Sequence, residues 1–223
     1  MRINKFLSHF SKLSRRQADK ALEQGRVKVN DKPAELGQKV SEADNVQVDN
    51  QPISAGDYTY VIFNKPVGYV TSRGKQANEK IIYDILPEKY HSLKPVGRLD
   101  KDTSGLLLLT NDGDYAEELM HPKNEKMKVY RLELDKRIDA SNLALVQGPG
   151  VELDDGPSQM SIKTLSETKP RYEVILTEGR NRQIRRTFEA LGYKIARLHR
   201  TQFGPYKVGK IEKGQTEKTL RLV

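Results

Sequence analysis

The stretch at residues 95–110, PVGRLDKDTSGLLLLT, places two aspartates, an arginine, a threonine and a serine within seven residues. Asp102 and the Ser-Gly pair after it are typical of a turn, since Asp and Ser bond their own backbone and glycine accepts a positive φ. Arg98 and Asp100 need another explanation. In an extended segment this spacing projects both side chains to one side, ahead of a leucine strand that must be buried. A carboxylate held at the edge of a core is a candidate acid, base or nucleophile.

A second group of polar residues is EGRNRQIRRTFEALGY, where Ile184 and Phe188 form the buried stripe of a helix predicted over 181–191 that ends at Gly192. Four arginines crowd its beginning: Arg180, Arg182, Arg185 and Arg186. Cations at a helix N-terminus oppose the macrodipole at a cost of about 0.3–1 kcal/mol each. A solvated basic helix end is the alternative, but the pattern favours an anionic partner, either a phosphate chain or a nearby carboxylate.

Two further residues have ordinary explanations when taken alone. Tyr130, in the predicted strand KVYRLEL, is typical of core packing with its hydroxyl at the rim. Lys65 could be a solvated residue at the end of the strand YTYVIFNKP.

Asp100 and Asp102 could hold a hard cation, but no third acid stands nearby, and the four histidines lack metal-ligand spacing. We therefore predict no metal site.

The elements that must position these residues begin after residue 58. Strands are predicted at YTYVIFNKP, GYVTS, GLLLLT, KVYRLEL, RYEVILTE and YKIARLHR, and helices at about 113–120, 140–147 and 181–191. Strands outnumber helices and do not alternate regularly with them. This pattern predicts an α+β class, with a mixed, mainly antiparallel sheet and helices packed on it, over residues 58–223.

Residues 1–55 are predicted to form a smaller α/β unit. Ile3, Phe6 and Leu7 belong to the apolar stripe of a first helix, and Ser14 with Gln17 has the spacing of a capping box for a second. The segments RVKVN and NVQVD read as short strands, and NQPISAGD reads as a polar linker.

The second of these helices carries a basic group with almost no interleaved acid: Arg15, Arg16, Lys20 and, just beyond its end, Arg26. A solvated face is the simpler explanation for single cations. The cluster favours a surface that contacts a phosphate backbone.

Composition agrees with a polyanionic partner. The net charge is +9 with a pI of about 9.5, and nucleic acid is the first candidate. The chain has no cysteine, which excludes disulfides and thiolate chemistry, and we find neither a secretory signal core nor a stretch long enough to span a membrane. We expect a cytoplasmic protein.

The motifs NKPVGYVTS, GRLDKDTSGLLLLTNDGD, KVYRLEL and EGRNRQIRR, in this order, resemble the small-subunit branch of the ribosomal RNA pseudouridine synthases. The first quarter of the chain, with SRRQADKALEQGRVKVN, resembles the RNA-binding domain named after ribosomal small-subunit protein four, the S4 domain. EGRNRQIRR together with GVELDDGP is more similar to the enzymes of the large subunit.

The resemblance implies a role for each site residue. Asp100 would be the catalytic carboxylate, Tyr130 the aromatic under the target base and Arg185 the partner of Asp100, while Arg98 would reach into the RNA. The other implied RNA contacts are Asn64, Lys65, Arg180, Arg182 and Arg186, with Arg15, Arg16, Lys20 and Arg26 from the N-terminal unit.

The implied reaction breaks the bond from ribose to a ring nitrogen of uracil, turns the base and rejoins it through a ring carbon, so the base must leave the stack. Asp100 could add to the sugar or remove a ribose proton. No electron or group transfer occurs, so no cofactor is expected. We expect a monomer that acts on ribosomal RNA or a ribosomal assembly intermediate. The alternatives are a non-catalytic RNA-binding assembly factor and, well behind it, a metal-dependent phosphodiesterase.

Overall fold

The computed structural model describes residues 1–41, 43–74 and 78–222 of the chain. Its N-terminal part consists of two helices and a four-stranded sheet: α1 Ile3–Phe10, α2 Arg15–Glu23, β1 Val27–Val29, β2 Lys32–Pro33, β3 Val46–Val48 and β4 Gln51–Ile53. The sheet has the order β2-β1-β3-β4 with antiparallel neighbours. The two predicted helices and the two predicted strands are therefore confirmed.

Local chemistry explains where α2 begins and ends. The Ser14 side chain accepts a hydrogen bond from the Gln17 backbone amide, and the Gln17 side chain accepts one from the Ser14 amide, which completes the predicted capping box. Gly25 has φ +67°, a conformation that favours glycine just after a helix. Ile3, Phe6 and other apolar residues of both helices pack on the sheet as one core. The predicted linker is wrong in its first part, because residues 51–53 pair with β3.

The second part of the chain is built on a nine-stranded sheet. Its strands are β5 Tyr60–Lys65, β6 Lys94–Pro95, β7 Ser104–Thr110, β8 Lys128–Leu134, β9 Ser161–Thr164, β10 Arg171–Leu176, β11 Ile195–Phe203, β12 Tyr206–Lys207 and β13 Thr216–Thr219. Its helices are α3 Gly113–Met120, α4 Ala140–Gln147 and α5 Gln183–Ala190. The main path is β13-β5-β7-β11-β8-β10-β9, with β12 beside β11 and β6 beside β7.

The β7–β11 pair is parallel and the other pairs in this sheet are antiparallel, which confirms the α+β class with a mixed, mainly antiparallel sheet. One predicted strand is wrong: GYVTS contributes only an isolated bridge from Val70 to Ile81. No helix in the described part of the chain is long and apolar enough to cross a membrane.

The leucine run of β7 is buried on both faces. Leu107 and Leu109 belong to the core on one side of the sheet, while Leu106 and Leu108 belong to the core on the other side. This explains why the strand shows no alternation of apolar and polar residues. The loop that carries Asp100 thus leads into a strand that is buried at every position.

Candidate active site

A cleft of about 1030 Å³ opens along β8, the end of β10, the loop before β7 and the beginning of α5. Among the residues that line it are Arg98, Asp100, Tyr130, Arg182, Ile184, Arg185, Leu198 and Arg200. The structure therefore gathers the predicted catalytic residues on one concave surface, although they come from three separate segments of the chain.

The loop that carries Asp100 is fixed from below by a buried lysine. Lys65 is 0% exposed, and its Nζ donates to the carbonyl oxygens of Asp100 at 3.0 Å, Thr103 at 2.9 Å and Pro66 at 3.1 Å. Burial lowers the pKa of Lys65 to about 8, against the opposing effect of Asp100 and Asp102. The predicted RNA contact of Lys65 is wrong, because its ammonium points into the protein and holds the loop.

Asn64 also faces the interior. It is 5% exposed, its side-chain amide donates to the carbonyl oxygen of Ile211 at 2.7 Å, and its backbone amide donates to that of Gln215 at 3.0 Å. Its predicted RNA contact is wrong because the side chain is buried and its amide is bonded within the protein. Asn64 ties β5 to the segment before β13.

Two arginines at the beginning of α5 face the loop. Arg182 Nη1 lies 3.6 Å from Oδ2 of Asp100 and 3.4 Å from Oδ1 of Asp102. Arg185 Nε lies 3.2 Å from Oδ2 of Asp102, and its Nη2 donates to the Asp102 carbonyl oxygen at 2.9 Å and to Thr103 Oγ1 at 3.3 Å. Burial lowers the pKa of Arg185, with Asp102 opposing this shift.

This geometry corrects the expected pairing of Asp100 with Arg185. Asp100 pairs with Arg182, whereas Arg185 pairs with Asp102 and holds the backbone of the loop. Arg182 occupies the left-handed region at φ 45°, which is uncommon for a residue other than glycine. The Asp100 side chain remains 37% exposed, so a substrate can reach it.

Tyr130 forms part of the cleft wall. It lies on β8, is 9% exposed and pairs with Arg200 of β11 across the sheet. Arg98 is exposed at the cleft, ahead of Asp100. A carboxylate, an aromatic ring and an exposed guanidinium therefore line the same surface.

Comparison with known proteins identifies this arrangement. The model of the RNA pseudouridylate synthase family matches residues 59–190, and that of the S4 domain matches residues 1–46. The chain belongs to the RNA pseudouridylate synthase family. Its N-terminal S4 domain binds RNA, and the chain is an RNA pseudouridine synthase.

Three relatives illustrate the similarity. The synthase is 38% identical over 221 residues to an uncharacterized RNA pseudouridine synthase of Aquifex aeolicus (strain VF5), covering 96% of this chain and 88% of that protein. It is 37% identical over 208 residues to ribosomal large subunit pseudouridine synthase B of Bacillus subtilis (strain 168), covering 91% and 85%. A crystal structure of a pseudouridylate synthase matches with a TM-score of 0.69 and 28% identity, over 99% of this chain and 96% of that one.

Arg180 and Arg186 of the synthase are engaged within the protein. Both bind Asp155: Arg180 Nη1 at 2.9 Å from Oδ1, and Arg186 through Nη1 and Nη2 at 3.0 Å and 2.7 Å from the two oxygens. The hydrogen bonds from Arg186 hold the pKa of Asp155 below its ordinary value. These arginines fasten α5 to the turn at 154–157, and their RNA contacts stay a prediction.

Behind α5 lies a polar group that the sequence analysis missed. Thr187 Oγ1 lies 2.7 Å from Ser158 Oγ and 2.9 Å from the carbonyl oxygen of Gln183, and Gln183 Nε2 donates to Ser158 Oγ at 3.1 Å. All three residues are at most 3% exposed. A threonine with a buried hydroxyl looks like an ordinary helix residue in the sequence, so only the partner Ser158 explains it.

The basic surface of the S4 domain is exposed as expected at Arg15, Arg16 and Lys20. Arg26 is exposed too, and it also forms two hydrogen bonds with the Asp49 carboxylate. Within residues 1–41, 43–74 and 78–222, no group of three or more metal-ligating side chains is present.

Proposed function

We propose that this synthase isomerises a specific uridine of ribosomal RNA to pseudouridine, and that its RNA belongs to the large subunit. The observation that carries the proposal is the ionic group around Asp100, which lies partly exposed in a cleft together with Tyr130. The similarity to a ribosomal large subunit synthase of Bacillus subtilis supports the choice of RNA.

Each side chain has a part in the proposed mechanism. Asp100 is the catalytic carboxylate, and either addition to the sugar or removal of a ribose proton needs its charged form, beside which Arg182 places a positive charge. Tyr130 offers an aromatic surface to the extracted uracil, which is neutral and planar. Arg98, exposed at the cleft, contacts the RNA near the vacated position.

Arg185 has a different part from the one expected. It binds the Asp102 carboxylate, the Asp102 carbonyl oxygen and Thr103, while Lys65 binds the carbonyl oxygens of Asp100 and Thr103 from the other side. The loop is therefore held from two sides, and Arg185 acts as a positioning residue. Such preorganisation sets the direction of a reacting carboxylate before the substrate arrives.

We further propose domain bounds of 1–55 and 58–223, supported by the separate apolar cores of the two parts.

One chain carries both the S4 domain and the cleft, so a monomer suffices for binding and catalysis. Its proposed substrate in the cytoplasm is free ribosomal RNA or an assembly intermediate, in which a uridine can still leave its stack. Light scattering of the purified protein tests the monomer.

The function is tested on deproteinised ribosomal RNA from cells that lack this protein. The wild type, without added metal, is expected to convert one uridine, located by carbodiimide labelling and primer extension. Asp100→Asn should give no product, while the control Asp154→Asn, at an exposed position outside the cleft lining, should act as the wild type. Absence of a new primer-extension stop with the wild type would refute the function, and full turnover by Asp100→Asn would refute the site.

A further inference from the structure

Arg200 is a buried cation in the cleft wall that the mechanism above does not use. It is 3% exposed, and its Nε donates to the carbonyl oxygen of Leu106 at 2.8 Å. Its Nη2 is buried without a hydrogen-bond partner. A buried guanidinium with an unused donor is costly unless a ligand supplies the acceptor.

A second cation lies beside it. Lys128 Nζ and the guanidinium carbon of Arg200 lie 5.7 Å and 5.0 Å from the centre of the same ring, that of Phe203. Lys128 Nζ is held by the carbonyl oxygens of Thr177 and Glu178, both at 3.2 Å. Both cations line the cleft, Lys128 on β8, the strand of Tyr130, and Arg200 on the neighbouring strand β11.

The protein does not neutralise this pair with an ion pair. No carboxylate among the residues that the structure describes lies within 4.0 Å of Arg200 or Lys128. The charge of Glu178 opposes the lowering of the Lys128 pKa by burial, but its carboxylate accepts hydrogen bonds from Gln183 and Arg180. Two cations that share one aromatic ring, without a paired acid, favour a negatively charged ligand in the cleft.

We propose that Arg200 and Lys128 form a phosphate subsite that holds one phosphodiester of the RNA strand next to the uridine extracted at Tyr130. The proposal rests on the proposed function, since it assumes an RNA strand in this cleft. A phosphodiester carries the missing charge and has two free oxygens as acceptors. A uracil carbonyl could accept a hydrogen bond from Arg200 but would leave both charges unbalanced.

The subsite is tested by binding alone, in the Asp100→Asn background, so that no turnover intervenes. The probe is a fluorescently labelled single-stranded uridine oligonucleotide, titrated over a series of salt concentrations. The variants are Arg200→Gln, Arg200→Lys and Lys128→Gln. The matched control is Lys218→Gln, which removes the same charge from an exposed position on β13, at the edge of the sheet.

Arg200→Gln and Lys128→Gln are expected to weaken binding at low salt. Each should also reduce the slope of log K against log salt, by up to about 0.7, the value for loss of one phosphate contact on a single strand. Arg200→Lys should keep most of the slope, and Lys218→Gln should keep all of it. Removal of an uncompensated buried charge should leave the melting temperature of Arg200→Gln unchanged or raise it.

Three results would overturn the subsite. Weaker binding with an unchanged slope would mean that a base carbonyl is the ligand. Unchanged binding with a lower melting temperature would make Arg200 a structural residue, and an equal loss of slope in Lys218→Gln would mean that any cation has this effect. If Arg200→Gln does not fold, Lys128→Gln decides alone. Isomerisation is not measured in this experiment, so failure of the subsite is distinct from failure of the function.

Discussion

The carboxylates of Asp100 and Asp102 lie two residues apart in one loop, and both face arginines at the beginning of α5. Among the described residues Asp100 forms an ion pair only with Arg182, at 3.6 Å, whereas Asp102 is paired with both Arg182 and Arg185. In the mechanism we propose, the two acids therefore have different tasks: Asp100 reacts, and Asp102 holds the loop in place.

This division predicts different results for the two asparagine variants. Asp100→Asn should have no turnover, because the reacting group is lost. Asp102→Asn leaves that group but removes the carboxylate that faces Arg185 Nε, so the loop loses an ionic anchor, and we expect kcat to fall by about 10- to 100-fold, as for a small misplacement of a catalytic group. Single-turnover primer extension on the same RNA measures both, and equal loss in the two variants would contradict the division.

Lys65 gives a second prediction at this scale. Lys65→Met removes the ammonium that donates to the carbonyl oxygens of Asp100, Thr103 and Pro66, and of these Asp100 keeps a backbone donor, the amide of Thr103 at 3.1 Å. The free energy of unfolding should therefore fall by about 3 kcal/mol. Because the ammonium is buried, the salt dependence of RNA binding should not change. Urea denaturation measures the free energy of unfolding, and binding titrations over a series of salt concentrations measure the salt dependence. A weaker salt dependence of RNA binding at unchanged stability would restore Lys65 as an RNA contact.

At the scale of elements, β11 is the strand that brings the site together. It lies between β7, which follows the Asp100 loop, and β8, which carries Tyr130. Gly105 of β7 pairs with Arg200 of β11 and has φ +112°. A Cβ at this position would lie 2.2 Å from the Arg200 carbonyl oxygen, so only glycine permits the parallel pairing.

Gly105→Ala is therefore expected to lower the free energy of unfolding by about 3 kcal/mol and to reduce turnover in whatever protein folds. The control is Gly56→Ala, where an added Cβ meets no atom within 4 Å and φ is not in the left-handed range. Thermal unfolding with turnover measures both effects. A Gly105→Ala protein as stable and active as Gly56→Ala would show that the close approach is not required.

The elements divide into those that local chemistry predicts and those that it cannot. The capping box at Ser14 and the glycines after α2 and α5 act within a few residues, so the helices follow from the sequence. The place of β11 between β7 and β8 depends on contacts far apart in sequence. For the same reason the burial of Lys65, and the choice of Arg182 rather than Arg185 as partner of Asp100, could not be predicted.

At the scale of the whole molecule, helix α1 of the S4 domain is docked on the catalytic part. Lys94 Nζ donates to the carbonyl oxygen and the hydroxyl of Ser8, and Lys5 pairs with Asp114 at 2.5 Å. His9 is 5% exposed and packs at Gly113, where an added Cβ would lie 2.8 Å from its Nε2. The basic surface of the S4 domain is thereby held at a fixed place relative to the cleft.

The burial of His9 makes this docking sensitive to pH. Burial lowers the pKa of His9, Asp114 and Asp112 oppose this shift, and Lys5 and Lys94 add to it. Below a pH of about 6.5 the exposed imidazole of the undocked state binds more protons than the buried one, so docking weakens as the pH falls through this range. We expect hydrogen exchange in α1 and in α3 to rise between about pH 7.5 and about pH 5.5. His9→Gln should abolish this dependence, whereas the control His121→Gln, at an exposed position, should keep it. If His9→Gln showed the same rise as the wild type, a group other than the imidazole would control the docking.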